Sequence, residues 1–276
     1  MCFTSFVEFL GYDFSMSSSI PAVILAGGLG TRIREETEFK PKPMVEIGGR
    51  PILWHIMKHL SSYGVKRFVI CVGYKGDTIR DYFLNYRARN NDFTVSLGAQ
   101  DELTFHSDHE ESNWSVTVAE TGALTNTGGR VFGIQKYILG ESFLCTYGDG
   151  LSDINIEELR KFQIERNKIA TVTTVKPLSR FGIMDISADD IVQNFKEKPQ
   201  AEGWINGGFF IFKPEVFSYL NPNVVLENAP LQQLASENQL AAFKHNGFWQ
   251  PMDTFRESKM LNDLWESGEA PWRTGN

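Results

Sequence analysis

The sequence predicts an α/β protein: a mixed, mostly parallel β-sheet flanked by helices, with a β-hairpin excursion. Two observations carry the prediction. Between Ala22 and Tyr86, short apolar runs alternate with amphipathic stretches as strand, helix, strand, helix, the rhythm of a parallel sheet covered on both faces. Between Phe93 and Glu120 that rhythm gives way to alternating apolar positions around a polar tip. At 276 residues and 42% hydrophobic, the chain can bury a full core as one large domain or two small ones. No linker, repeat or low-complexity tract divides residues 20–276, so these are read as one domain. Residues 1–19 are read as a poorly ordered N-terminal extension, with no basic segment of the kind that opens a secretory signal.

Ala22, Val23, Ile24 and Leu25 suit a buried strand, and Ala26, Gly27, Gly28 and Gly30 follow at once, then Thr31 and Arg32. Glycines after a strand let the backbone turn sharply and bring N–H groups to phosphate oxygens. Arg32 adds a planar cation suited to bidentate phosphate contact. Lys42 stands between Pro41 and Pro43, whose rings restrict the backbone around it. Together these residues describe a polyphosphate site. A dinucleotide G-x-G-x-x-G is excluded, because Ile33 holds the third glycine position after Gly28 and Gly30. No glycine is placed to give a Walker G-x-x-x-x-G-K-[ST] either.

Pro51 opens a helix whose face carries Ile52, Leu53, Ile56, Met57, Leu60 and Tyr63, and Gly64 fits its end. His55 and His59 on this helix are read as surface or packing residues, not ligands. Phe68–Val72 is a second buried strand, and Asp77 is placed to cap a helix through Tyr86. Phe93, Val95 and Leu97, then Trp114, Val116 and Val118, alternate as strands around an excursion holding His106, Asp108, His109, Glu110 and Glu111. A metal site can be imagined there, but a solvated hairpin tip is the expectation. The stretch Thr121–Arg130 is a glycine-rich polar loop suited to meeting a nucleobase edge, followed by a helix through Tyr137.

Phe143–Tyr147 is another strand, ended by Gly148, Asp149 and Gly150. An acidic residue at the carboxyl end of a central strand stands where open α/β sheets bind ligands, so Asp149 is read as a Mg²⁺ ligand ahead of a turn residue. A helix over Asn155–Arg166 and strands over Ile169–Val175 and Arg180–Ile186 follow. Glu197, Lys198 and Pro199, then Ile205, Asn206, Gly207 and Gly208, place a cation before a polar, glycine-lined strand suited to a phosphosugar. Asp253 precedes a helix holding Phe255, Met260, Leu261 and Leu264, where capping is its simplest role.

The composition sets outer bounds. A formal charge of −7 and a pI near 5.4 argue against a nucleic-acid footprint. No apolar run reaches the roughly 18 residues that would span a membrane. Cys71 and Cys145 lie in apolar runs, Cys2 is distant, and no C-x-x-C occurs, which fits reduced core thiols in the cytoplasm.

The motifs LAGGLGTR, KPKPMVEIGGRPILWHIMK, CVGYKG, TGGR, TYGDG, GRFG, EKP, INGGFF and GFWQPMDT run from Ile20 to Trp272. With them the chain resembles the sugar-1-phosphate nucleotidyltransferases, and TGGR and GFWQPMDT point to the cytidylyl branch. Ile33, where leucine is usual, and the N-terminal extension are departures. The resemblance implies a single Rossmann-like nucleotidyltransferase domain, commonly oligomeric, with the helix-rich C-terminal end as a candidate interface. It implies that Leu25, Ala26, Gly27, Gly28, Gly30, Thr31 and Arg32 surround a triphosphate while Lys42 stabilises charge in transfer. Thr121, Gly129 and Arg130 would lie at cytosine and ribose, with Arg130 donating to the base. Asp149 and Asp253 would hold Mg²⁺. Lys198 would grip the sugar phosphate, beside Glu197, Asn206 and Gly207.

The implied reaction joins CTP and α-D-glucose 1-phosphate into CDP-glucose and pyrophosphate, with no nucleic acid or membrane as partner. CDP-glucose commonly feeds dideoxyhexoses of bacterial surface polysaccharides. The nucleophile, a phosphate oxygen, is already ionised, so positioning and charge neutralisation are what the site must supply. Uridylyl, thymidylyl or guanylyl transfer on the same fold is the alternative. A non-catalytic nucleotide-sensing subunit could dispense with some of Lys42, Asp149, Lys198 and Asp253, and all four are present.

Overall fold

Strand β1 (Ala22–Leu25) is buried along its whole length, Ala22 and Ile24 in one apolar cluster and Val23 and Leu25 in the other. An unbroken apolar run is what a strand covered on both faces needs. The computed structural model describes residues 20–30, 37, 40–98, 102–177, 181–197, 199–200 and 203–273. The N-terminal extension, Thr31, Arg32 and Lys198 lie outside these.

After β1 come a single 3-10 turn (Lys42–Met44), a short hairpin of β2 (Glu46–Ile47) and β3 (Arg50–Pro51), α1 (Ile52–Ser62) and β4 (Arg67–Val72). Next are α2 (Gly76–Leu84), α3 (Tyr86–Asn90), a ribbon of β5 (Phe93–Ser96) and β6 (Glu102–Phe105), and β7 (Ser115–Glu120). Helix α4 (Thr127–Gly133), β8 (Phe143–Tyr147), β9 (Gly150–Ser152), α5 (Ile156–Arg166) and β10 (Ala170–Val175) follow. A second ribbon, β11 (Ile183–Ile186) and β12 (Val192–Lys196), precedes β13 (Ile205–Phe212). The chain continues through α6 (Ala229–Ser236), β14 (Leu240–Lys244), β15 (Trp249–Pro251) and α7 (Phe255–Glu266).

Seven strands form the main sheet in the order β14-β10-β13-β8-β1-β4-β7. Neighbours from β8 to β7 run parallel, as do β10 and β14, while β13 is antiparallel to both its neighbours. This is the mixed, mostly parallel sheet expected. From β1 the chain goes to β4 on one side and later to β8 on the other. Such a reversal leaves a crevice at the carboxyl ends of the strands, where open α/β sheets hold ligands.

Helix α1 buries Ile52, Leu53, Ile56, Met57 and Leu60, and Gly64 follows it in the left-handed region (φ 84°). His55 and His59 are packing residues, their Nε2 atoms 2.8 Å and 2.9 Å from the carbonyls of Ile47 and Ile154. Cys71 and Cys145 are fully buried free thiols, and burial raises the Cys71 pKa to about 12.

Several expectations need correction. The β5 strand pairs with β6, not with the Trp114–Val118 stretch, which joins the main sheet as an edge strand beside β4. Ile183–Ile186 pairs only with β12 and lies outside that sheet, exposed on both faces. Lys75, not Asp77, precedes α2, and the Asp77 carboxylate pairs with Arg80 (2.9 Å) inside the first turn. The expected solvated tip is partly tucked in: Glu111 is buried against Lys58 (2.9 Å) and the His109 ring meets Tyr86. Beyond these corrections, α7 packs Leu261, Leu264 and Trp265 on the core. The sequence reading also missed α6 and β14.

Candidate active site

A cavity of about 460 Å³ opens at the carboxyl ends of β1 and β8. Leu25, Ala26, Gly27, Gly28, Leu29 and Gly30 form one wall, and Lys42 and Pro43 another. Thr125, Asn126, Thr127 and Arg130, then Tyr147, Gly148 and Asp149, then Val225, Glu227 and Asp253 complete it. Six noncontiguous stretches therefore converge where the topology predicts a ligand.

Asp149 and Asp253 meet across this cavity because β9 pairs antiparallel with β15, setting Gly150 opposite Pro251. The Met252 amide then donates to the Asp149 carbonyl (2.8 Å). Capping is not the task of Asp253. Thr254 caps α7, its hydroxyl accepting from the Glu257 amide (3.3 Å), while the Glu257 carboxylate accepts from the amides of Asp253 (2.7 Å) and Thr254 (2.8 Å). The Asp253 side chain points into the cleft.

There it meets Lys42, whose Nζ donates to Asp149 Oδ2 and Asp253 Oδ1, each at 2.6 Å. Lys42, bracketed by Pro41 and Pro43 at the start of the 3-10 turn, is buried, and its ammonium meets the two carboxylates. Burial would lower its pKa, but the two carboxylates outweigh that and hold it above the ordinary lysine value.

Two carboxylates supply only hard oxygen donors, suited to a divalent cation that takes its remaining ligands from phosphate and water. Among the described residues no group of three or more His, Cys, Asp or Glu could hold a metal alone. The pair thus fits a cation shared with a phosphate ligand.

A model of the nucleotidyl transferase family matches residues 21–254. The chain belongs to the nucleotidyl transferase family. It is 49% identical over 256 residues to the glucose-1-phosphate cytidylyltransferase of Salmonella typhi, covering 92% of this chain and 98% of that protein. It is 42% identical over 254 residues to a probable glucose-1-phosphate cytidylyltransferase of Bacillus subtilis, covering 91% and 98%. The crystal structure of HddC from Yersinia pseudotuberculosis complexed with GMP-PN superposes with a TM-score of 0.66 at 23% identity, covering 89% and 99%, which shows the shared fold.

In this nucleotidyl transferase, Leu25, Ala26, Gly27, Gly28, Gly30, Lys42, Arg130, Asp149 and Asp253 line one cavity. Arg130 is also bonded within the protein. Its buried guanidinium donates to the carbonyls of Val72 (3.2 Å), Gly27 (2.8 Å) and Ala123 (3.5 Å) and to the Thr121 hydroxyl (2.7 Å). It clamps the glycine loop to the end of β4. Gly27 is glycine for this reason, since a Cβ there would lie 2.1 Å from Arg130 Nη1.

Thr121 and Gly129 do not line the cavity. Thr121 donates to the Val72 carbonyl (2.7 Å), and Gly129 is pressed against the Pro222 carbonyl, 2.2 Å from where a Cβ would stand. The loop reaches the cavity through Thr125, Asn126 and Thr127 instead. Asn206 contacts the site through the Tyr147 hydroxyl (3.2 Å), Gly207 accepts from Trp249 Nε1 (2.7 Å), and Glu197 follows β12. Tyr147 and Glu227 were missed. Tyr147 lay within the quoted TYGDG, whereas Glu227 carried no sequence signal.

A larger concavity of about 550 Å³ lies over β7, beside α2 and α3. Its charges are already paired, Arg80 with Glu120 (2.5 Å), Arg87 with Asp108 (3.5 Å) and Glu111 with Lys58. It lies away from the glycine loop and the Lys42 pair.

Proposed function

We propose that the protein transfers a cytidylyl group from CTP to α-D-glucose 1-phosphate, giving CDP-glucose and pyrophosphate. The observation that carries this is Lys42 held between Asp149 and Asp253 beneath the glycine loop, in a chain whose 49%-identical relative bears that name over nearly its full length. A phosphate oxygen of the sugar phosphate attacks the α-phosphorus. One P–O bond forms, the bond to the bridging oxygen breaks, and pyrophosphate leaves with the electron pair. No general base is needed.

The residues then divide the work. Backbone N–H groups of Gly27, Gly28 and Gly30 cradle the triphosphate, with Thr31 and Arg32 carried over from the family motif. Lys42 neutralises charge that builds at the phosphates during transfer. Asp149 and Asp253 would hold Mg²⁺, which would supply charge neutralisation at the phosphates. Lys198 is assigned to the sugar phosphate, with Glu197, Asn206 and Gly207 near the sugar hydroxyls. The cytoplasmic location and homo-oligomeric state usual for such enzymes belong to the same proposal.

Nucleotide choice rests on the Thr125–Thr127 loop. Cytosine offers a 4-amino donor and an unprotonated N3, so its pocket must accept at one edge and donate at the next. With UTP an acceptor would face the uracil carbonyl unpaired, costing ~1–3 kcal/mol. Pyrophosphate release measured with four triphosphates and several sugar 1-phosphates tests the reading. CTP should exceed UTP by about tenfold to over a hundredfold in kcat/KM. Equal use of both would overturn the cytidylyl assignment.

A further inference from the structure

Glu227 belongs to none of the motifs that point to the site, yet its half-buried carboxylate forms part of the cavity wall. Its two oxygens face different neighbours. Oε2 accepts from the Thr127 hydroxyl (2.6 Å), and Oε1 accepts from the Tyr147 hydroxyl. Both hydroxyls are held from a second side. The Thr127 oxygen accepts from the Leu226 amide (3.0 Å), and the Tyr147 oxygen accepts from Asn206 Nδ2 (3.2 Å). Neither can rotate toward another acceptor without breaking a bond.

The Tyr147 ring is fixed as well. It lies over Gly208, whose φ of 85° favours glycine and where a Cβ would stand 2.6 Å from the ring, and Phe210 meets it edge-on. Asn206 is oriented in turn, its Oδ1 accepting from the Gly208 amide (2.8 Å). A continuous chain, Thr127–Glu227–Tyr147–Asn206, thus runs from the loop at the start of α4 to the start of β13. Only a carboxylate accepts from two hydroxyls at once with charge-assisted bonds.

We propose that Glu227 is a positioning residue that sets the spacing between the nucleotide side of the cleft, at Thr127, and the sugar-phosphate side, at Tyr147 and Asn206. This rests on the proposed function for the names of the two sides. Truncating Glu227 frees both hydroxyls together, so one substitution loosens the grip on both substrates. Removing either hydroxyl loosens one side alone.

The test measures KM for CTP and for glucose 1-phosphate separately, with kcat and Tm, in Glu227→Ala, Glu227→Gln, Thr127→Val and Tyr147→Phe. Thr127→Val should raise KM for CTP, and Tyr147→Phe that for glucose 1-phosphate. Glu227→Ala should raise both by about tenfold, and Glu227→Gln, which keeps one acceptor oxygen, should fall between it and wild type. Glu227→Ala with both KM values within twofold of wild type would overturn the proposal. So would a change in one KM alone, or Glu227→Gln no better than Glu227→Ala. The two single-hydroxyl variants give readouts even if Glu227→Ala folds poorly. The wild type judges the functional reading by itself: if it prefers another substrate pair, the variants are scored with that pair.

Discussion

Lys42 occupies the place in the cleft where charge matters most, and the two carboxylates that hold it define what its loss should do. Lys42→Ala should lower kcat by on the order of 10²-fold and change KM for CTP less, since its charge acts where negative charge develops. Steady-state kinetics at saturating CTP check this. Asp253→Asn keeps size and most hydrogen bonding but weakens cation binding, so turnover should fall by on the order of 10²-fold while Tm stays near wild type. A folded Asp253→Asn enzyme with normal turnover would remove Asp253 from the site. Arg130 leads elsewhere: its truncation strips a charged donor from the Gly27, Val72 and Ala123 carbonyls. Arg130→Ala should cost on the order of 3 kcal/mol of stability and weaken all triphosphates alike, leaving the CTP-to-UTP ratio unchanged. Thermal melts and KM values for both nucleotides would show it.

Helices α1 and α7 each carry a consequence for stability. Burial of His55 and His59 lowers both pKa values from 6.5 to about 4, so both stay neutral at pH 7. For His55 the neutral ring is also what its neighbours need, because Nδ1 faces the Trp272 Nε1–H (3.4 Å). The unfolded chain therefore takes up protons between about pH 6.5 and 4 that the folded chain refuses. The stabilisation is complete above pH 6.5 and lost as pH falls through that window, at up to ~1.4 kcal/mol per pH unit for each histidine. Melts from pH 7.5 to 5 should show a steep fall that His59→Gln makes shallower. In α7, Thr254→Ala should cost about 1 kcal/mol through the lost cap. Turnover should hold there while Asp253→Asn does the reverse, which separates two adjacent residues that sequence could not.

For the whole molecule, the site exists only where the sheet reverses direction, between β8, β1 and β4. Its walls come from stretches spread between Leu25 and Asp253, so a ligand filling it couples distant parts of the fold. A triphosphate at a hundredfold excess over its Kd should add about 2.7 kcal/mol. For a chain of this size that raises Tm by roughly 5–10 °C. CTP with Mg²⁺ should shift Tm more than CTP with EDTA, and more than UTP with Mg²⁺. Equal shifts with and without the metal would argue against the Asp149–Asp253 pair as a cation site.

The central strands, α1 and the glycine-loop edge are legible in residue order alone, because their signals are local. An apolar run, a glycine turn and a proline-bracketed lysine each read out within a few residues. Asp149 was legible for the same reason, standing at the end of an obvious strand. Features that depend on partners far along the chain emerge only in the folded molecule. For Asp253, local order offered capping while the family resemblance implied cation binding; in the fold Thr254 and Glu257 do the capping and Lys42 takes the Asp253 carboxylate. Arg130 donates to the carbonyls of Gly27, Val72 and Ala123, partners that only the folded chain brings to it. Gly129 is a glycine for Pro222, and Glu227 gains meaning only from Thr127 and Tyr147. Strand partners failed likewise: alternation marks Phe93–Ser96 and Ser115–Glu120 as strands, but pairing is set by whichever edge the folded sheet leaves open.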